Sequence, residues 1–206
     1  MDFTFYLLLF STLIILMLMV FITKKVQRNQ LSNIFRMNLI FILIWNIALT
    51  CQILFSEKLH IKPIYFDYIA YIGICFLSVN FFLTGKVFVN TKIKLKKYYI
   101  ALSIIPIISL LILWTNDFHH LFYEKYSINL SDSVFGPYMI IHNIYSYLLL
   151  FLGILTLLKY SIKNTGLFSK QSLLILISIL IPIVVNILGT FKIIPMTIYI
   201  TPISFA

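Results

Sequence analysis

The chain has 206 residues, of which 61% are hydrophobic and only 11% charged, and its mean hydropathy is +1.02. That apolar fraction exceeds the 45–50% of an ordinary soluble domain and points to a membrane protein. The net charge of +10 would suggest nucleic acid in a soluble protein. Here the bases flank apolar runs instead of clustering on a polar domain, which excludes that partner and points to anionic lipid.

A helix needs about 20 mostly apolar residues to cross the hydrocarbon core, and six such runs follow in order. Residues 3–22 are uncharged and stop at Lys24 and Lys25. No basic n-region precedes them and no small-residue cleavage site follows, so this run is expected to stay in the mature protein. Residues 34–55 form the second run, whose Arg36 lies within a turn of one end, where it can snorkel. A short gap at 56–63 leads to the third run, 64–84, and then to the most basic gap, 86–97. The fourth run is 98–114, followed by the longest gap, 115–137; the fifth is 138–158 and the sixth 171–190. A last apolar segment, 198–206, is too short to span and reads as a seventh span cut off partway. The expected fold is an all-α polytopic bundle of six full spans plus a truncated seventh, a single domain over 1–206.

Most of the positive charge falls in alternate gaps. Lys24, Lys25, Arg28, Arg36, Lys86, Lys92, Lys94, Lys96, Lys97, Lys159, Lys163 and Lys170 fall on one side, and only Lys58, Lys62, Lys125 and Lys192 on the other. The acids Asp2, Glu57, Asp117, Glu124 and Asp132 share the Lys-poor side, with Asp67 just inside the membrane from it. Lys and Arg mark cytoplasmic loops, so the N-terminus is expected outside.

Polar residues within spans tend to face the bundle interior. In the fifth run Tyr138, His142, Tyr145 and Leu149 lie at steps of four, three and four, hence on one face. Asn186 in the sixth, Asp67 and Tyr71 in the third and Thr201 in the last segment all sit toward the Lys-poor end. Together they form a candidate ligand or signal pocket in the outer third, against the plainer role of interhelical hydrogen bonding. Pro182 and Pro202 each remove a helical hydrogen bond and are candidate hinges. Cys51 and Cys75 lie within spans and read as small buried hydrophobes. Asn38, Asn46, Gln52 and Asn80 read as packing glue between helices.

The gap after Trp114 holds Asn116, Asp117, His119, His120 and Glu124. Adjacent histidines are poor metal geometry and no spaced Cys/His pattern supports them, so no metal site is assigned; an interfacial aromatic-rich loop is the expectation. The basic-side gaps carry no histidine and no carboxylate, and no catalytic motif or cofactor signature occurs.

Two stretches carry a resemblance. Trp114-Thr115-Asn116-Asp117-Phe118-His119-His120-Leu121-Phe122 looks like a W-T-N-x-x-H-H-L-(F/Y/W) signature, and Gly136-Pro137 followed by His142, Tyr145 and Tyr147 looks like G-P-x-x-x-x-H-x-x-Y-x-Y. With Pro182, Asn186 and Ile200-Thr201-Pro202, the order resembles the N-terminal seven-transmembrane region of bacterial histidine kinases, a module also found before diguanylate cyclase and PAS modules. The resemblance implies a sensory input role in the bacterial cell membrane, a cytoplasmic output domain in cis, a homodimer, and an unnamed small-molecule or physical stimulus. Trp114, Asn116, His119 and His120 join the pocket candidates on this basis. Kinase or cyclase activity would lie outside this segment. The alternatives are a small-molecule transporter or channel, and a ligand-free anchoring module.

Overall fold

A computed structural model describes residues 3–56, 58–90 and 93–205. Asp2, Glu57 and Lys92, which entered the charge comparison, lie outside the described residues, as does Ala206 at the end of the last segment. Six helical stretches are long and apolar enough to cross a membrane, and many of their large apolar side chains are exposed as a lipid-facing surface requires. This is a multi-pass membrane protein.

Helix α1 (Phe3–Lys25) is apolar all round but buries only Phe5, Leu8, Ser11, Ile15 and Ile22, a narrow stripe that packs on α2. Helix α2 (Gln30–Phe55) begins where Asn29 and Ser32 form a capping box: Asn29 Oδ1 accepts from the Ser32 N–H at 2.7 Å, and Ser32 Oγ from the Asn29 N–H at 3.0 Å. Helix α3 (Ile64–Val89) follows Pro63 and is the most buried span, packed against both α2 and α7. Glycines let it approach them. A Cβ on Gly73 would stand 2.2 Å from the Phe41 carbonyl oxygen of α2, and one on Gly85 2.9 Å from the Gly153 carbonyl of α7 (Pro137–Lys163). Small residues at such crossings allow the close backbone packing that drives helix association in lipid.

The fourth span, expected as one helix over 98–114, is two: α4 (Leu95–Leu102) and α5 (Ile104–Trp114), broken at Ser103. The cause is Pro106, which has no N–H to give the Leu102 carbonyl four residues earlier. The Tyr145 hydroxyl of α7 donates to that carbonyl instead.

Span α8 (Leu167–Thr190) runs helically through Pro182. The last segment forms a single short helix, α9 (Ile200–Ile203), against α1, α2 and α8.

Two helix-joining connections fold over one end of the bundle. The longer contains the short helix α6 (Asn116–His119) and an antiparallel hairpin of β1 (Tyr123–Lys125) and β2 (Val134–Phe135), with Tyr123 opposite Phe135. A plain loop was expected there; three strand residues are too short a run to show alternation in sequence. The 191–199 connection lies along this hairpin, with Leu130 N–H donating to Met196 O at 2.9 Å and Ile198 N–H to Ile128 O at 3.0 Å. We refer to this end as the hairpin face and to the other, which carries most of the lysines, as the basic face.

Candidate functional site

Asn116 organises the hairpin. Its side chain is buried; its amide donates to the Tyr123 carbonyl at 2.9 Å, and its oxygen accepts from the N–H groups of Phe122 (2.9 Å) and Tyr123 (3.0 Å). His119 closes the preceding turn: Nδ1 accepts from the Leu121 N–H at 3.0 Å. The proton therefore sits on Nε2, which donates to Thr115 Oγ1 at 3.0 Å, and both ring nitrogens are used. His120 takes up the left-handed conformation that ends α6 and is exposed. The Trp114 indole donates to the Tyr68 carbonyl at 3.2 Å. These four residues of the resemblance shape the connection.

The product of that shaping is Tyr123. Its hydroxyl reaches down to α3 and donates to Asp67 Oδ2 at 3.2 Å. Having spent its one proton there, it accepts from Tyr71, 3.0 Å away. Tyr126, in the same connection, meets the Gln52 amide of α2 at 2.9 Å. Burial holds the phenols of Tyr123 and Tyr126 well above the usual tyrosine range, so both remain donors.

Beneath the hairpin lies a cavity of about 120 Å³, bounded by α2, α3, α7, α8 and the last segment, with Leu130 and Phe135 above it. Its polar end holds Asp67, Tyr71 and Tyr123; Asn143, Asn186 and Thr190 line the α7–α8 side, and Trp45, Phe81 and Phe205 the apolar depth. From Asp67 to Phe81 is about 21 Å along α3 at 1.5 Å per residue, so the space is tall and narrow. No Lys or Arg is among the described residues that line it.

Of the sequence-derived candidates, His142, Asn186, Asp67, Tyr71, Thr201 and Pro182 border this cavity. Tyr138, Tyr145, Trp114, Asn116, His119, His120 and Pro202 do not. The face of α7 that carries Tyr138, His142 and Tyr145 turns toward α5. His142 Nδ1 and Tyr138 Oη both meet Ser109 Oγ, at 3.0 and 3.2 Å, while Ser109 donates to Ile105 O at 2.9 Å. Ser109 has only one proton, so His142 and Tyr138 are the donors to it. The neighbouring face of α7, with Asn143, Ser146, Tyr147 and Leu150, looks into the cavity instead. Tyr147 donates to Asn186 Oδ1 at 2.7 Å and so joins α7 to α8. Those positions and Tyr123 were not among the sequence-derived candidates; the available signal was a second row of polar residues at Asn143, Ser146 and Tyr147, one residue round the helix.

The model of the family described as the N-terminal 7TM region of histidine kinase matches residues 7–206. The chain belongs to that family. It is therefore a histidine-kinase N-terminal sensor region embedded in the bilayer. No curated protein and no solved structure matches it.

Proposed function

We propose that this region receives an extracellular or membrane-borne signal at the hairpin-face cavity and passes it to a cytoplasmic output domain in cis. The N-terminus and hairpin face outward, as the lysine excess on the basic face supports. Helix α9 opens a seventh span that leads to the basic side. A single observation carries the reading: one cavity is walled both by the Asp67–Tyr123 latch and by Thr201 and Phe205 of the last segment. An occupant that prefers one packing of these walls shifts the population of the segment's positions by its difference in affinity. Pro182 interrupts the hydrogen-bond ladder within α8 and Pro202 stands in the first turn of α9, and these are the hinges of the proposed movement. The test is autophosphorylation of the intact receptor carrying Asn186→Ala or Phe205→Ala, at matched expression. Altered basal output or stimulus response in these variants is expected; wild-type behaviour in both overturns the reading.

A further inference from the structure

We propose that the cavity takes a small organic amine, an ammonium group on a compact apolar body; this rests on the sensory reading above. Asp67 is the anchor. It is 3% exposed, lies at the polar end of the cavity and, among the described residues, accepts a hydrogen bond from one phenol, Tyr123. A buried carboxylate is costly without a cation, and the described cavity wall offers no Lys or Arg to supply one. The missing charge is therefore one that a ligand can bring.

The surroundings suit an ammonium in particular. The rings of Tyr71 and Tyr123 meet edge to face with centroids 6.4 Å apart, and Phe135 lies 5.9 Å from Tyr123, so aromatic surface flanks the acid. Ring faces attract cations, and an acid beside aromatic rings is a strong combination once water is excluded. An anionic ligand would meet Asp67 directly and be repelled. Below the acid the wall becomes apolar and aromatic, through Ile74, Leu77, Trp45 and Phe81. A cavity of about 150 Å³ holds benzene, so 120 Å³ suits a body of one ring or a short alkyl chain. On the α7 side Ser146 Oγ is buried with no hydrogen-bond partner among the described residues, so the space retains polar capacity for a substituent.

The experiment uses the chain in lipid nanodiscs with three matched probes: 2-phenylethylamine, 2-phenylethanol and 3-phenylpropionate. Thermal unfolding is followed against probe concentration. Saturable stabilisation by the amine is expected, at least about tenfold tighter than by the alcohol, and none by the acid. Asp67→Asn, which keeps an acceptor for Tyr123, should reduce the amine to the level of the alcohol. Ser146→Phe, on the α7 wall, should block both by filling the space. No amine binding, equal amine and alcohol affinity in the wild type, or an amine preference that survives Asp67→Asn overturns the proposal. If Asp67→Asn fails to fold, amine binding that survives Ser146→Phe overturns it alone. Output is measured separately. Amine binding that leaves autophosphorylation of the intact receptor untouched refutes the sensory reading only. Output that responds to Asn186→Ala while no amine binds refutes the amine only.

Discussion

Removing the Asn116 side chain should open the hairpin without unfolding the bundle. Asn116→Ala strands three backbone groups, the N–H groups of Phe122 and Tyr123 and the Tyr123 carbonyl, in a place where Phe122 is fully buried and Tyr123 4% exposed. Each unpaired buried group costs roughly 1–3 kcal/mol, and partial water entry lowers the sum, so about 3 kcal/mol is expected. The loss falls on the local opening of 120–136, because α6 and the hairpin pack on the end of the bundle. Three kcal/mol corresponds to about a hundredfold faster amide exchange through the open state. Hydrogen exchange read by mass spectrometry on peptides covering 121–126 and 70–80 separates this from global destabilisation. Asn116→Asp keeps both acceptor bonds but loses the donor to Tyr123 O, and should show about a tenfold effect. Exchange of 121–126 within about threefold of wild type in Asn116→Ala would falsify the assignment of Asn116 as the organiser of the hairpin.

Gly73→Ala should force α2 and α3 apart, since its Cβ would lie 2.2 Å from the Phe41 carbonyl oxygen; a loss of about 1–3 kcal/mol is expected, and an unchanged melting temperature in nanodiscs contradicts it. Tyr145→Phe removes the donor that replaces the missing Pro106 N–H and should cost about 1–2 kcal/mol. In a Pro106→Ala background the cost should shrink, because the alanine N–H can bond the Leu102 carbonyl itself; a double-mutant cycle with no coupling argues against the substitution of one donor for the other. Burial raises the folded-state pKa of Tyr123 and Tyr126. The stability this confers is present below the unfolded-state value of about 10 and is lost as pH rises beyond it. Alkaline melting should therefore fall less steeply in Tyr123→Phe/Tyr126→Phe than in wild type, and parallel profiles refute the argument.

The spans were legible because each is a long apolar run ended by charge: Lys24 and Lys25 after α1, Lys86 near the end of α3, Lys163 at the end of α7. Their register against one another was not. Pro106 was not singled out in the sequence, and the break at Ser103 is completed by Tyr145 on another helix, which takes up the orphaned carbonyl. Pro182 did signal such a weakness, and there the helix continues. The polar cluster was legible as a location and less so as a set of partners. His142 and Tyr145 sit on the expected face of α7, but Ser109 and the Leu102 carbonyl draw that face toward the fourth span. Asn116 stood out by its motif, yet its effect is exerted through Tyr123, whose reach to Asp67 depends on a hairpin of five strand residues. Gly73 looked like any glycine in a span until the Phe41 backbone was placed beside it.

The stitching of the 191–199 connection to the hairpin has a mechanical consequence. Leu130, Ile128 and Ser133 hold Met196, Ile198 and the Lys192 ammonium by backbone groups, the last at 2.7 Å. A load applied to the hairpin therefore reaches the residues just before Ile200 over a few stiff bonds, without travelling down any span. Tension on the cap and, in the proposed sensing role, an occupant of the cavity below would act on the same short lever, one from its top and one from its side.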